Sequence, residues 1–542
     1  MNIKEKIVKK ILELRVSTPA GLASLKRRFA KKYGKPMPSN IELLKEYHKL
    51  LKIRRIKESK ILEELLRIRK VRSLSGVAVV SVLTKPYPCP GKCLYCPTQK
   101  GIPKSYLDNE PAVMRAVLNN FDPYGQVKMR LKALKITGHP TDKIELIVIG
   151  GTWSYLPKRY QTWFIKRCFD ACNNRASKNL EAAQKLSERA KNRIVGLTVE
   201  TRPDFITESE IKRMRKLGAT RVEIGVQSLY DDVLKINKRG HRVDATIRAT
   251  HLLKDAGFKV CYHMMPNLPG SDIKKDGKMF QELFSNPNFQ PELLKIYPCI
   301  VLKEAKLYKF WQAKKYKPYS NKQLVSLLKT VKKNIPYYCR IQRLIRDIPS
   351  LSVIAGSKVS NLRQVIAEEM KKDYNPPTAS SRSPIGERAP GWRCKCIRCR
   401  EVRANYNPKE KLFLFREDYE ASGGKEIFLS YENKNREKLY ALLRLRIPSQ
   451  IFTGRNHFIP VLQNAAIIRE VHTYGQLVPI SEKRIAPQHK GLGKKLIKEA
   501  EKISKQEFGV KKIAVISGIG VRNYYRKFGY KLKDSYLIKE SR

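Results

Sequence analysis

Between residues 76 and 348 the chain alternates short apolar, β-branched runs with segments of helical spacing, and no other feature constrains its fold as tightly. The runs are "GVAVVSVLT", "IELIVIGG", "RIVGLTVETRPD", "RVEIGVQS", "FKVCYHMMPNLPG", "ELLKIYPC" and "YCRIQRLIRDI". Two of the intervening segments, "TESEIKRMRKLG" and "VDATIRATHLLKDAG", end in glycine, as helices often do. Parallel strands need a long crossover between them, so this alternation predicts βα units around a parallel sheet. Six or seven strands over some 270 residues predict an α/β fold, a complete or partial (β/α) barrel. Its chemistry is expected at the C-terminal ends of the strands.

The flanks differ in texture. Residues 1–75 carry 22 Lys and Arg against 7 Asp and Glu, a net +15, with apolar residues at helical spacing in "IELLKEYHKLLKIRRIKESKILEELLRIRKVR". This predicts a small helical domain with one apolar stripe and a basic face. Over the whole chain 111 basic residues stand against 49 acidic ones, a formal +62, which a polyanion such as RNA or DNA would offset. A thermophile's charged surface is the alternative, but such surfaces balance Lys with Glu and this one does not. A basic face can also be merely solvated; the charge density of this one favours phosphate contacts. "MNIKEKIVKKILEL" holds no apolar segment long enough for a signal peptide or membrane span. Eleven clustered cysteines fit metal sites in a reducing compartment better than disulfides, so a cytoplasmic location is expected, with no membrane partner.

The loop after the first run, "KPYPCPGKCLYCPTQK", places Cys89, Cys93 and Cys96 within eight residues. Four thiolates saturate a four-iron four-sulfur cluster, whereas three leave one iron open. An open iron is what S-adenosylmethionine (SAM) needs in order to chelate before reductive cleavage to a 5′-deoxyadenosyl radical. Zinc held by these three and a distant ligand is the alternative. The C-x3-C-x2-C spacing is that of the radical SAM superfamily, which residues 76–348 resemble. The resemblance implies a glycine turn after the second strand, Gly150 and Gly151, against the SAM amino group. It also implies that Glu200 and Gln227, at later strand ends, face the same pocket.

Residues 371–411 break the pattern with a loop-rich basic connector containing "GWRCKCIRCRE". Its Cys394, Cys396 and Cys399 are expected to hold zinc that pins a segment with no hydrophobic core nearby. A second iron–sulfur cluster is the lesser reading. The fourth ligand is open between Cys339 and a histidine. Cys168, Cys172, Cys261 and Cys299 read as small apolar fillers.

After the connector, strand-like runs precede "APQHKGLGKKLIKEA", a glycine-rich helix start able to bring backbone N–H groups to a pyrophosphate. With "IIREVHTYG" before it and "KIAVISGIG" and "YRKFGY" after it, the segment 411–542 resembles the Gcn5-related N-acetyltransferase fold. That resemblance implies acetyl-CoA binding. Glu470, Val471 and His472 would meet the pantetheine arm, and Gln488, Gly491, Leu492, Gly493 and Lys494 the pyrophosphate. Tyr525 would donate to the leaving CoA sulfur. Tyr524 reads equally as a second catalytic hydroxyl and as core packing.

The four-part plan, 1–75 helical, 76–348 radical SAM, 349–410 connector and 411–542 acetyltransferase, resembles the family of the Elongator catalytic subunit almost end to end. "GGTW", "ETRPDF", "HMMPNLPG", "LRLR" and "AVISGIGVRNYYRKFGY" carry the likeness. It implies a tRNA-modifying acyltransferase that forms a carboxymethyl group at C5 of the wobble uridine, with the anticodon stem-loop as RNA partner and other subunits as further partners. It also places Lys143 against acetyl-CoA from the barrel side. The short first cysteine gap and the complete connector triad are not shared by every relative. The competing class is a protein lysine acetyltransferase using the barrel as scaffold, and a third reading is a tRNA-binding scaffold with a decayed cluster. The radical reading requires the cysteine pocket and the acyl-CoA slot to open onto each other.

Overall fold

The computed structural model describes residues 2–68, 75–372, 394–403, 407, 409–475 and 491–540. Strands β1 (Ala78–Leu83), β2 (Lys143–Ile149), β3 (Arg193–Thr201), β4 (Arg221–Gln227), β5 (Lys259–Met264) and β6 (Leu293–Ile296) lie side by side in chain order, all parallel. β7 (Val301–Leu302) leaves this sheet to pair with β9 (Val353–Ala355), and β8 (Arg340–Arg343) joins β6 as the seventh strand. β1 and β8 are the two edges, so the barrel is partial. Each of the seven apolar runs contributes one strand.

Alternation along β2 shows how the sheet is used. Ile144, Leu146 and Val148 are buried, while Lys143, Glu145 and Ile147 line the concave side. Helices Pro123–Ile136, Lys158–Asn173, Glu208–Leu217 and Val243–Asp255 take crossover positions in the chain between successive strands. Glu208–Leu217 ends at Gly218 with φ +97°, which accounts for the glycine that closes that segment. A barrel filled by side chains would carry apolar residues on both faces. This one keeps its inner face polar and hollow.

Four helices, Ile3–Glu13, Pro19–Tyr33, Asn40–Lys52 and Lys60–Leu66, close their own core around Ile7, Ile11, Leu43, Tyr47 and Leu66. The long stripe divides into two helices. Ser39 and Glu42 form a reciprocal capping box at the start of the first, and Arg54 at φ +53° follows its end. Ser59 caps the second, and its N–H donates to the Tyr47 hydroxyl at 2.6 Å.

The C-terminal sheet comprises β10 (Phe413–Ala421), β11 (Gly424–Glu432), β12 (Leu439–Ile447), β13 (Ala465–Thr473), β14 (Lys512–Val515), β15 (Lys531–Lys533) and β16 (Tyr536–Glu540), in the order β10-β11-β12-β13-β14-β16-β15. β13 and β14 form its one parallel pair, and they run together only from Ala465 to Ile468. Beyond that point β13 stays with β12 alone, so the sheet splits.

The second sheet docks on the barrel through buried ion pairs. Arg446 reaches Asp255 at 2.6 Å and Glu426 at 2.9 Å, and Arg469 reaches Glu292 at 2.8 Å and Glu426 at 2.6 Å. All five side chains are at most 5% exposed. The "ISGIG" loop completes the contact: a Cβ on Gly518 would lie 2.0 Å from the carbonyl oxygen of Val195 on β3. Removing one member of a buried charge set strands the others. Arg446→Met is therefore expected to lower stability by about 3–5 kcal/mol in denaturant unfolding.

Candidate active site

The loop after β1 is tied at its centre. Leu94 donates its N–H to Asn237 O at 3.2 Å and accepts from Leu307 N at 2.8 Å. Gly91 lies between two of the thiols, for a Cβ there would sit 3.6 Å from Cys89 Sγ and 3.5 Å from Cys93 Sγ. That Cβ would also meet Arg202 Nη1 at 2.6 Å, a buried guanidinium nitrogen with no hydrogen-bond partner among the described residues. Arg239 Nη1 donates to Cys93 Sγ at 3.6 Å, and Thr152 Oγ1 is 3.8 Å from Cys89 Sγ. Burial, then the neighbouring Cys93, pushes the Cys96 thiol up to about 11.

These thiols fit an iron–sulfur cluster better than a single ion. Tetrahedral zinc needs sulfurs roughly 3.8 Å apart. Cys394, Cys396 and Cys399 gather within 4.8 Å of one another, whereas Cys89, Cys93 and Cys96 are not among the described groups that do. The wider triad suits a multinuclear cluster, and Arg202 and Arg239 beside it suit the cluster's negative charge.

At the neighbouring strand ends, Gly150 has φ +129° and Gly151 φ +95°. A Cβ on Gly150 would fall 2.2 Å from Thr84 Oγ1, so this turn admits only glycine. Gly151 lines the cavity, and Gly150 shapes the turn behind it. Glu200 accepts from the Tyr106 hydroxyl at 3.0 Å and from Lys295 at 3.3 Å. Gln227 takes φ +74°, costly for a residue with a Cβ, and its buried Oε1 has no partner among the described residues. Gly225 leaves it room, since a Cβ there would lie 2.8 Å from Gln227 Nε2. A strained residue with an unsatisfied acceptor at a cavity wall is the signature of a ligand contact.

In the C-terminal domain, helix Leu492–Gln506 starts after Gly491, at φ +70°, and no side chain among the described residues caps its first N–H groups. Such a helix start suits an anion. Leu492 packs into the core, so only its backbone can serve a ligand. A side chain at Gly493 would strike the Tyr524 hydroxyl, 2.6 Å from the position of its Cβ. Tyr524 is 39% exposed and Tyr525 6%, their rings edge to face at 5.3 Å. Burial raises the Tyr525 hydroxyl above its ordinary value and keeps it a donor. The Glu470 side chain is held by Arg444 at 2.9 Å and Lys259 at 3.4 Å, and His472 Nε2 lies 2.9 Å from Ser75 O. Gln488 lies outside the described residues.

One cavity of about 1310 Å³ is lined by both sets of residues. Cys89, Cys93, Cys96, Gly151, Glu200 and Gln227 border it, and so do Lys143, Glu470, Val471, His472, Gly491, Gly493, Lys494, Tyr524 and Tyr525. The polar inner face of the half-barrel forms the wall between. Lys143 stands at the start of β2, and burial lowers its ammonium below the ordinary value.

The connector cysteines require a correction. Far from lacking a core, Cys396 is 0% and Ile397 1% exposed, because the turn closes on the helix Asn321–Asn334 and on β8. Buried Lys332 reaches Cys399 Sγ at 3.5 Å. Burial would lower its ammonium, but the three sulfurs hold it above the ordinary value. Hydrogen bonds from Cys394 and Cys399 hold the Cys396 thiol well below its own. Three close sulfurs beside a buried cation suit zinc thiolate. No fourth His, Cys, Asp or Glu joins them among the described residues, and Cys339 is not in the group. Chelation is expected to remove about one zinc per chain and to lower the melting temperature, read by metal analysis and calorimetry.

Residues 87–282 match the Radical SAM superfamily and residues 291–372 the Radical SAM C-terminal domain. The tRNA uridine(34) acetyltransferase of Methanocaldococcus infernus is 47% identical over 517 residues, which are 93% of this chain and 91% of that protein. This chain belongs to that family. Human Elongator complex protein 3 is 40% identical over 495 residues, 89% of this chain and 87% of its own. The solved structure of Methanocaldococcus infernus Elp3 with residues 1–46 deleted matches with a TM-score of 0.73 at 44% identity, covering 86% of this chain and all of that one. Among the described residues no helix is long and apolar enough to cross a membrane.

Sequence reading of this tRNA uridine(34) acetyltransferase family member missed Arg202, Arg239, His263 and Lys295. Placement after or within predicted strands could have flagged Arg202, His263 and Lys295, whereas Arg239 follows the helix Asp231–Ile236 and carries no local mark.

Proposed function

We propose that this protein builds a carboxymethyl group at C5 of the wobble uridine of tRNA, taking both carbons from acetyl-CoA. One observation carries the reading: the cysteine loop and the acyl-CoA residues Val471, Gly493 and Tyr525 border the same cavity. A cluster on Cys89, Cys93 and Cys96, with SAM on its open iron, would supply a carbon radical able to take hydrogen from the acetyl methyl group.

The chain's residues do the rest. Gly151, Glu200 and Gln227 hold SAM at the strand ends. The backbone of β13 at Val471 and the ammonium of Lys143 guide the acyl arm into the barrel. The Gly491 helix start and Lys494 hold the pyrophosphate. Once the acetyl carbon is joined to the base, thioester hydrolysis leaves the carboxylate, and Tyr525 donates to the departing thiolate. Tyr525→Phe is expected to lower turnover about 100-fold with little change in the KM for acetyl-CoA, measured as CoA thiol release.

The family's name for its archaeal members supports tRNA as substrate, and the printed name of its eukaryotic members, Elongator complex protein 3, adds partner subunits to the proposal. A cytoplasmic location goes with a tRNA substrate. Direct transfer to a lysine amine would need a free base at the acyl end. The carboxylate lining that end, Glu470, is instead held charged by Arg444 and Lys259. Anaerobic incubation of the reconstituted protein with SAM, acetyl-CoA, reductant and tRNA, followed by digestion to nucleosides, tests the reading. Carboxymethyluridine is the expected product; acetyl-lysine without modified uridine would replace this function by protein acetylation.

A further inference from the structure

The inner face of the half-barrel carries more charge than holding the cofactors uses. Arg221 bridges Glu145 and Glu223, and Lys295 bridges Glu200 and Glu223. Three carboxylates against two cations leave one negative charge, 3 − 2 = 1. The neighbouring cations are committed elsewhere, Lys259 to Glu470, Arg340 to Glu401 and Arg343 to Asp347. Facing the excess charge is His263, whose Nε2 lies 2.8 Å from Glu223 Oε2.

A carboxylate only accepts, so Nε2 carries the hydrogen and Nδ1 keeps its lone pair. The carboxylate form is secure, for burial would raise Glu223 but Lys295, His263 and Arg221 together hold it well below its ordinary value. Tyr297 fixes the ring edge to face at 5.4 Å. The imidazole lines the cavity, and among the described residues Nδ1 has no hydrogen-bond partner. Glu223, Cys261 and His263 come close enough to chelate a metal. Lys295 against Glu223 and a thiol kept protonated by burial make that set unsuited to a cation.

We propose that His263 is the general base for hydrolysis of the thioester, with Glu223 as the positioning carboxylate. The inference rests on the proposed carboxymethylation and names the residue for its last step. Nδ1 takes a proton from water as the water oxygen bonds to the thioester carbonyl carbon. The C–S bond then breaks, and the imidazolium returns its proton to the departing coenzyme A sulfur while Tyr525 gives that sulfur a hydrogen bond. One water is consumed, a carboxylic acid and a thiol form, the acid loses its proton to solvent, and no electron moves. Taking the proton makes the local charge neutral, and Glu223 stays hydrogen-bonded to the ring throughout. The other imidazole on the cavity, His472, gives its N–H to the neutral carbonyl of Ser75, and burial lowers its proton affinity. His263 also stands opposite Lys295 on the adjacent strand and two strands from Glu200, at the end where the acetyl methyl must react. The carbonyl to be attacked is bonded directly to that methyl carbon.

The test compares the reconstituted parent with His263→Gln. The variant is expected to form 5′-deoxyadenosine within about threefold of the parent and to make carboxymethyluridine about 100-fold more slowly. Digested tRNA should then show the uncleaved uridine–acetyl–CoA thioester by mass spectrometry. Nitrogen-15 NMR supplies a readout apart from turnover: the parent is expected to show the Nε2-protonated tautomer of His263, lost in Glu223→Gln. A parent that forms no carboxymethyluridine overturns the proposed reaction itself. A working parent whose variant loses 5′-deoxyadenosine in step with product, or loses no product, overturns the role of His263 alone.

Discussion

Cys93→Ser is expected to abolish uridine modification and iron incorporation while leaving tRNA affinity within about twofold of the parent. Coordination sets this expectation. Three thiolates are the smallest set that can hold the cluster and still leave an iron for SAM, so losing one removes a ligand that no nearby residue replaces. Cys93 is also the thiol that Arg239 touches, and a serine hydroxyl cannot carry the negative charge that the guanidinium is placed to meet. RNA binding depends on phosphate contacts over a broad basic surface and is indifferent to one half-buried thiol. Iron analysis, nucleoside digestion and a tRNA titration separate these effects. Undiminished modification in the variant would sink the radical reading altogether.

The half-barrel was legible because its strands are short apolar, β-branched runs separated by segments of helical spacing, and each of the seven runs became a strand. The glycine turn after β2 follows a local rule too: Gly150 and Gly151 adopt a backbone that other residues resist. What the sequence concealed depends on contacts between distant segments. Arg239 reaches Cys93 across 146 positions, and nothing local marks it. Glu223 in "RVEIGVQS" and Lys295 in "ELLKIYPC" read as polar interruptions of apolar runs, yet they are the furniture of a hollow interior. The "LRLR" arginines resemble the exposed face of an edge strand. Arg444 and Arg446 are instead 2% and 0% exposed, because β12 turns that face toward the barrel. The connector cysteines misled in the opposite sense. Their surroundings are rich in Pro, Ser and Arg, and the core that receives them comes from Lys332 and β8, too far along the chain for a local reading to see.

Deleting residues 2–68 is expected to weaken tRNA binding by about 10²–10³-fold near 0.1 M salt and to flatten its salt dependence. These residues hold 19 Lys and Arg against 7 Asp and Glu, 19 − 7 = +12, in a domain with its own core. Among the described residues, its junction with the barrel includes Arg67 donating to Gly138 O at 2.7 Å and His139 Nε2 2.9 Å from Ile68 O. Removal therefore leaves the barrel core intact, and the solved relative lacking residues 1–46 is a precedent for such a truncation. Each phosphate neutralised adds about 0.9 to the slope of log K against log salt for duplex nucleic acid. Five contacts thus predict a slope change of about 4 to 5. Arg54, Arg55 and Lys57 are exposed between the last two helices, and reversing all three to Glu should give a smaller loss of the same kind. Chemistry on an already bound anticodon would slow only through reduced occupancy, so saturating tRNA should restore the turnover of both variants. If affinity and salt slope survive the deletion, the phosphates are held by the barrel rim and connector, and the helical domain has another purpose.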